Sequence, residues 1–166
     1  MKLSKTLLLS LISVTFPIEV KADLFACEMC PSGTYSDGTT FECLKCSAGT
    51  YSNAGASSCT SCLTTGVTAC SSTTGKATNC KAGYGFSNGT CTKCSAGYYS
   101  AGGTASCTKC PAGSYSSAGA GSCTSCLTTG VSACSSSTGQ ATSCKPGYGF
   151  SNGTCTKCSA GYCGTS

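Results

Sequence analysis

Cysteine is the residue type with the means to do chemistry in this sequence. Nineteen Cys are spread over 166 residues that contain no His, no Trp and no Arg. Many stand as C-x2-C pairs, at 27/30, 43/46, 59/62 and 91/94 among others. Three chemistries use that spacing. Two such pairs can hold zinc as in a ribbon. One pair can exchange disulfides at the start of a helix in a thioredoxin-like domain. Neighbouring pairs can also be the meeting points of successive structural disulfides.

The leading segment decides which chemistry applies. Met1 to Lys5 is a short positive region, Thr6 to Phe16 is apolar, and Val20-Lys21-Ala22 offers compact residues at the positions a signal peptidase reads. Residues 1–22 therefore read as a signal peptide cleaved after Ala22. The alternative, a membrane anchor, needs about 20 apolar residues and the stretch is shorter. In an oxidising compartment closely spaced Cys pair with each other. The pairs also overlap in one continuous lattice, and no His is present to complete a mixed site. Metal remains an alternative reading, and elemental analysis decides it. The redox reading lacks the apolar strands and the helix it needs. General-base catalysis lacks His, and the carboxylates Asp23, Glu28, Asp37 and Glu42 cluster near the start with no counterpart in the repeats. No catalytic residue, cofactor or metal ligand is expected.

The elements that position these Cys follow a short unit, C-x2-G-x-Y-x7-C-x2-C, starting at Cys30, Cys46, Cys94 and Cys110. Its Gly allows a tight turn, and its Tyr ring can cover the disulfide that closes the loop. The predicted pairs are Cys30–Cys43, Cys46–Cys59, Cys94–Cys107 and Cys110–Cys123. The same local logic pairs Cys80 with Cys91 and Cys144 with Cys155. It leaves Cys62–Cys70 and Cys126–Cys134, where a crossed arrangement is also open. Each loop of about a dozen residues contributes about 2–3 kcal/mol in the chain-entropy picture.

Two units and one different segment make a period of 64 residues. Residues 59–98 and 123–162 differ at five of forty positions: Thr68 to Ser132, Thr73 to Ser137, Lys76 to Gln140, Asn79 to Ser143 and Ala82 to Pro146. The domains expected are a signal peptide (1–22), a first period (23–93, with a partial unit at 27), a second period (94–158), and the truncated start of a further unit (159–166). Cys27 aligns with Cys91 but has no partner ahead of it. Cys158 opens a unit that does not continue. Cys158 and Cys163 can pair, leaving Cys27 unpaired and able to form an intermolecular disulfide. The array thus reads as cut at both ends.

Large aliphatic side chains are few after residue 25, so a core alone cannot offset the conformational entropy of folding. Cys-rich composition of this kind marks a disulfide scaffold. The fold class expected is a small disulfide-rich repeat protein. It is an elongated tandem array with short two-stranded β pieces, irregular loops and no helix after the signal peptide. Asn88-Gly89 and Asn152-Gly153 are turn dipeptides at ribbon tips. With Thr90 and Thr154 they are also N-glycosylation sequons, or else only hairpin turns. The lysines are scattered singly, which argues against nucleic acid as a partner.

The unit resembles the ephrin-receptor-like repeat of the growth-factor-receptor cysteine-rich superfamily. It is also similar to the first half of tumour-necrosis-factor-receptor modules, and that likeness supports local pairing of its first two Cys. Near-identical periods filled with Ala, Gly, Ser and Thr, and C-x2-C pairs behind a signal peptide, resemble the immobilisation antigens of ciliates. That resemblance implies a coat protein of the cell surface. Those proteins commonly carry a glycolipid anchor behind an apolar tail, whereas residues 159–166 are polar. The chain is therefore expected to be secreted, or displayed at the cell surface if an anchor is missing from it. A structural coat antigen is the leading function. A receptor-like or adhesive binding module is the second, with unidentified protein or carbohydrate partners, and Asp37, Phe41, Glu42 and Leu44 are the places to look for one. A cysteine-rich metal binder is the third.

Overall fold

The computed structural model describes residues 29–39, 42–160 and 163. The expected signal peptide at residues 1–22 and Cys27 lie outside the described residues. Among the described residues there is no helix. The chain forms sixteen strands in eight antiparallel two-stranded sheets, strung along the sequence as a small disulfide-rich repeat.

Each Cys-x2-Gly unit makes one minimal hairpin. In the first, β1 (Thr34–Tyr35) pairs with β2 (Leu44–Lys45), with Thr34 opposite Lys45 and Tyr35 opposite Leu44. The second pairs β3 (Thr50–Tyr51) with β4 (Thr60–Ser61). Two residues per strand cannot hold together by pairing alone, so a disulfide joins the loop ends. The segment that follows has longer strands. There β5 (Val67–Cys70) pairs with β6 (Ala77–Cys80), with a bulge between Val67 and Cys70. Then β7 (Tyr84–Ser87) pairs with β8 (Thr90–Lys93).

Asn88 and Gly89 join β7 to β8 with φ of 49° and 79°. Two positive φ values in a two-residue loop are the mark of a type I′ turn, whose twist matches that of the strands. That is why Asn-Gly stands there. Asn152 and Gly153 repeat it with 46° and 76°.

The second period repeats every element 64 residues on. Its strands are β9 (Tyr98–Tyr99), β10 (Thr108–Lys109), β11 (Ser114–Tyr115) and β12 (Thr124–Ser125), followed by β13 (Val131–Cys134), β14 (Ala141–Cys144), β15 (Tyr148–Ser151) and β16 (Thr154–Lys157). The pairing partners are the same.

Little of the interior is hydrocarbon. Cys30, Cys62, Cys80, Cys94, Cys110 and Cys126 are buried, helped by Val67 and Ala77 and by Val131 and Ala141. Leu63 and Leu127 stay about half exposed, at 51% and 48%. Sulfur is thus the main buried apolar material, so the staples and the core are largely the same atoms.

Candidate functional site

The Cys chemistry is spent on closure. The structure joins Cys30 to Cys43, Cys46 to Cys59, Cys62 to Cys70 and Cys80 to Cys91. The second period joins Cys94 to Cys107, Cys110 to Cys123, Cys126 to Cys134 and Cys144 to Cys155. Cys158 is joined to Cys163. Every described Cys is in one of these bonds, so none is available as a thiolate, the form that attacks or binds metal. Among the described residues no group of three His, Cys, Asp or Glu gathers as a metal would need. Sequence separations are 13 in the four units, 8 and 11 in the intervening segments, and 5 at Cys158–Cys163. The bonds therefore staple local loops, each stabilising by about 2–3 kcal/mol.

What links one stapled loop to the next is backbone hydrogen bonding organised by buried serines. Ser52 is 3% exposed. Its N–H donates to the Ser72 carbonyl at 3.1 Å, and its carbonyl accepts from Gly33 N–H at 3.0 Å. Its hydroxyl donates to the Thr34 carbonyl at 2.7 Å and accepts from Gly33 N–H at 3.1 Å. One residue thus ties together three segments. Ser116 does the same in the second period, bonding Ser136, Gly97 and Tyr98. Ser100, 1% exposed, bridges the two periods by accepting from Gly83 and donating to Ala120. No described buried side-chain oxygen or nitrogen lacks a partner. The unit pattern C-x2-G-x-Y-x7-C-x2-C does not include these serines. A signal for them did exist: each follows the unit Tyr directly, as Tyr51-Ser52, Tyr99-Ser100 and Tyr115-Ser116.

The Tyr rings also reach forward. A Cβ added to Gly75 would lie 2.9 Å from the Tyr51 ring, and one added to Gly139 would lie 2.8 Å from the Tyr115 ring. Each ring lies flat on the glycine of the following segment. Tyr84 and Tyr148 reach back instead, covering Gly66 and Gly130 of the preceding segment.

Beside each forward-reaching ring is a shallow hollow. The first, about 230 Å³, is lined by Tyr51, Ser61, Thr64, Val67 and Thr90. Its twin, about 290 Å³, is lined by Tyr115, Ser125, Thr128, Val131 and Thr154. An aromatic ring and several hydroxyls face each hollow, and no charged side chain lines either. Lys76 lies against Gly89 at the rim of the first hollow, and Gln140 against Gly153 at the second. Asn88 and Asn152 are exposed on the adjoining turns.

Of the residues unique to the first period, Asp37 accepts hydrogen bonds from Thr39, Leu44 sits in β2 and Glu42 is exposed. Phe41 lies outside the described residues.

No protein-family model matches the chain, and no curated protein is significantly similar to it.

Proposed function

We infer that the chain is a secreted or cell-surface structural protein, a coat antigen built from cysteine-rich repeats and without catalytic activity. The observation that carries this reading is repetition. All eight hairpins recur in pairs at one offset, and every described Cys is closed in a local disulfide. An array of that kind holds surface away from a base and tolerates change on its exposed faces, because each unit rests on those within one or two places of it along the chain. The leader read at residues 1–22 supports an extracellular setting, where such disulfides persist. The likeness to ciliate immobilisation antigens supports a surface coat. Asn88 and Asn152, exposed on outward turns, suit the attachment of glycan.

The test is expression of the full chain with its own leader in a eukaryotic secretory pathway. The reading expects export, cleavage after Ala22, proteolytic resistance that is lost on reduction, and a mass drop on N-glycosidase treatment. Retention in the cytosol as a reduced or zinc-loaded protein would contradict it.

A second reading, an adhesive or receptor-like module, draws support from the duplicated hollow. A Tyr ring ringed by hydroxyls suits one face of a neutral sugar, and two copies on one chain would bind a repeated glycan bivalently. Glycan-array binding that is lost in Tyr51→Ala and Tyr115→Ala would favour it over the coat reading.

A further inference from the structure

The hollow beside Tyr51 is left open by its neighbours in the array. The chain that follows it is described through residue 160, and none of that chain lines it. The chain before the twin hollow is described back through the whole preceding segment, and none of that chain lines the twin. Neither the next repeat nor the previous one is therefore the occupant.

Each hollow has instead a sequon at its edge. Asn88-Gly89-Thr90 forms the turn between β7 and β8, and both Gly89 and Thr90 line the first hollow. Asn88 is exposed beside them. Its side chain makes no hydrogen bond among the described residues, so Nδ2 is free to be substituted. The turn itself is pinned. The Gly89 carbonyl accepts from Ala77 N–H at 2.9 Å, and the Lys76 stem packs against Gly89. In the second copy the Gly153 carbonyl accepts from Ala141 N–H at 2.8 Å, and the Gln140 stem packs against Gly153. The two rims share the stem and differ in the charge, which suits a neutral occupant.

Size narrows the choice further. Pockets for free drug-sized ligands run to about 300–1,000 Å³. The first hollow, at about 230 Å³, is smaller and shallow. It suits a single sugar ring, and a lone ring in solution gains little from so open a site. A covalent tether changes that, because a short link makes the contact intramolecular, at an effective concentration on the order of millimolar. The Tyr51 wall offers the C–H face of a pyranose an aromatic surface. Ser61, Thr64 and Thr90 offer hydroxyl partners for its polar groups.

We propose that the hollow beside Tyr51 is the seat of the innermost N-acetylglucosamine of a glycan carried by Asn88, so that this sugar packs as part of the fold. The proposal rests on the secreted reading, which supplies the glycosylating pathway. In the transfer, Asn88 Nδ2 loses a proton and bonds to C1 of a lipid-diphosphate-linked oligosaccharide. The C1–O bond to phosphate breaks, and the lipid diphosphate leaves. The seated ring takes the place that a sugar from another molecule would occupy.

The test uses the full chain exported with its own leader from a eukaryotic host. An endoglycosidase trims one sample to the innermost N-acetylglucosamine. An amidase strips a second sample, leaving aspartate in place of Asn88. Nuclear Overhauser contacts of the N-acetyl methyl and amide exchange of Ala77 are then measured. In the single-sugar form the methyl contacts the Tyr51 ring. Ala77 N–H exchanges about fivefold more slowly there than in the stripped form, the size of one contact with an aromatic face. Tyr51→Phe keeps both effects, because the ring remains. Ser61→Phe, at an exposed position of β4, fills the hollow from its own wall. That variant still carries the glycan and loses both effects, and its two forms differ by the same charge as those of the wild type. Unchanged disulfide maps show that the variants fold. An exported chain without glycan on Asn88 overturns the proposal at its first step. A glycan that is attached but touches no Tyr51 ring, or an exchange difference that Ser61→Phe leaves intact, overturns the seat and leaves the secreted reading standing. A chain that is not exported overturns that reading and the proposal with it.

Discussion

Gly85 and Gly149 occupy the same position in the repeat, yet they do different things. Gly85 is pressed against the backbone of Cys107, and Gly149 is open. Gly85→Ala should destabilise the oxidised protein by about 1–3 kcal/mol through overpacking. Gly149→Ala should change stability by less than about 0.5 kcal/mol, as surface substitutions do. Urea unfolding of the two variants checks this, and equal losses would mean that the two periods do not pack as described. The buried serines give a second comparison. Ser116→Ala removes the hydroxyl that bonds Tyr98 and should cost about 1–2 kcal/mol. Ser117→Ala, next to it and exposed, should cost almost nothing. These residues were hard to read in the sequence because their partners lie in other segments. Ser116 bonds Tyr98 at a separation of 18 and Ser136 at 20. A Ser in a Ser-rich chain looks like solvated loop until those neighbours are in place.

At the scale of the element, two residues per strand are held in register by a covalent bond and by a seam to the next unit. Replacing Cys94 and Cys107 together by Ala should lower stability by about 3 kcal/mol. The other disulfides should form normally, because each closes its own loop. Non-reducing digestion of the double variant reads that directly. Scrambled links elsewhere would show that the units depend on one another to fold. The hairpins themselves were legible. Asn88-Gly89 announced a two-residue turn, and the Gly-x-Tyr pattern announced a turn followed by an extended pair. The two-stranded, helix-free architecture followed from them. What the pattern did not reveal is the forward reach of Tyr51 onto Gly75 and of Tyr115 onto Gly139. Gly75 lies in the loop between β5 and β6, outside the unit that carries Tyr51, so the unit's own pattern holds no sign of the contact.

For the whole molecule, the 64-residue period explains why buried hydrocarbon can be so sparse. Each stapled loop needs only a short seam with the next, and burial of sulfur with a few Val and Ala suffices. The coat reading rests on the Cys being oxidised in local pairs. Mapping disulfides by mass spectrometry, on chain exported with its own leader and digested without reduction, tests that most directly. The account predicts links 30–43, 46–59, 62–70 and 80–91, their four counterparts 64 residues on, and 158–163. Links that join the two Cys of a C-x2-C pair, links that cross between periods, or reduced Cys holding zinc would contradict it.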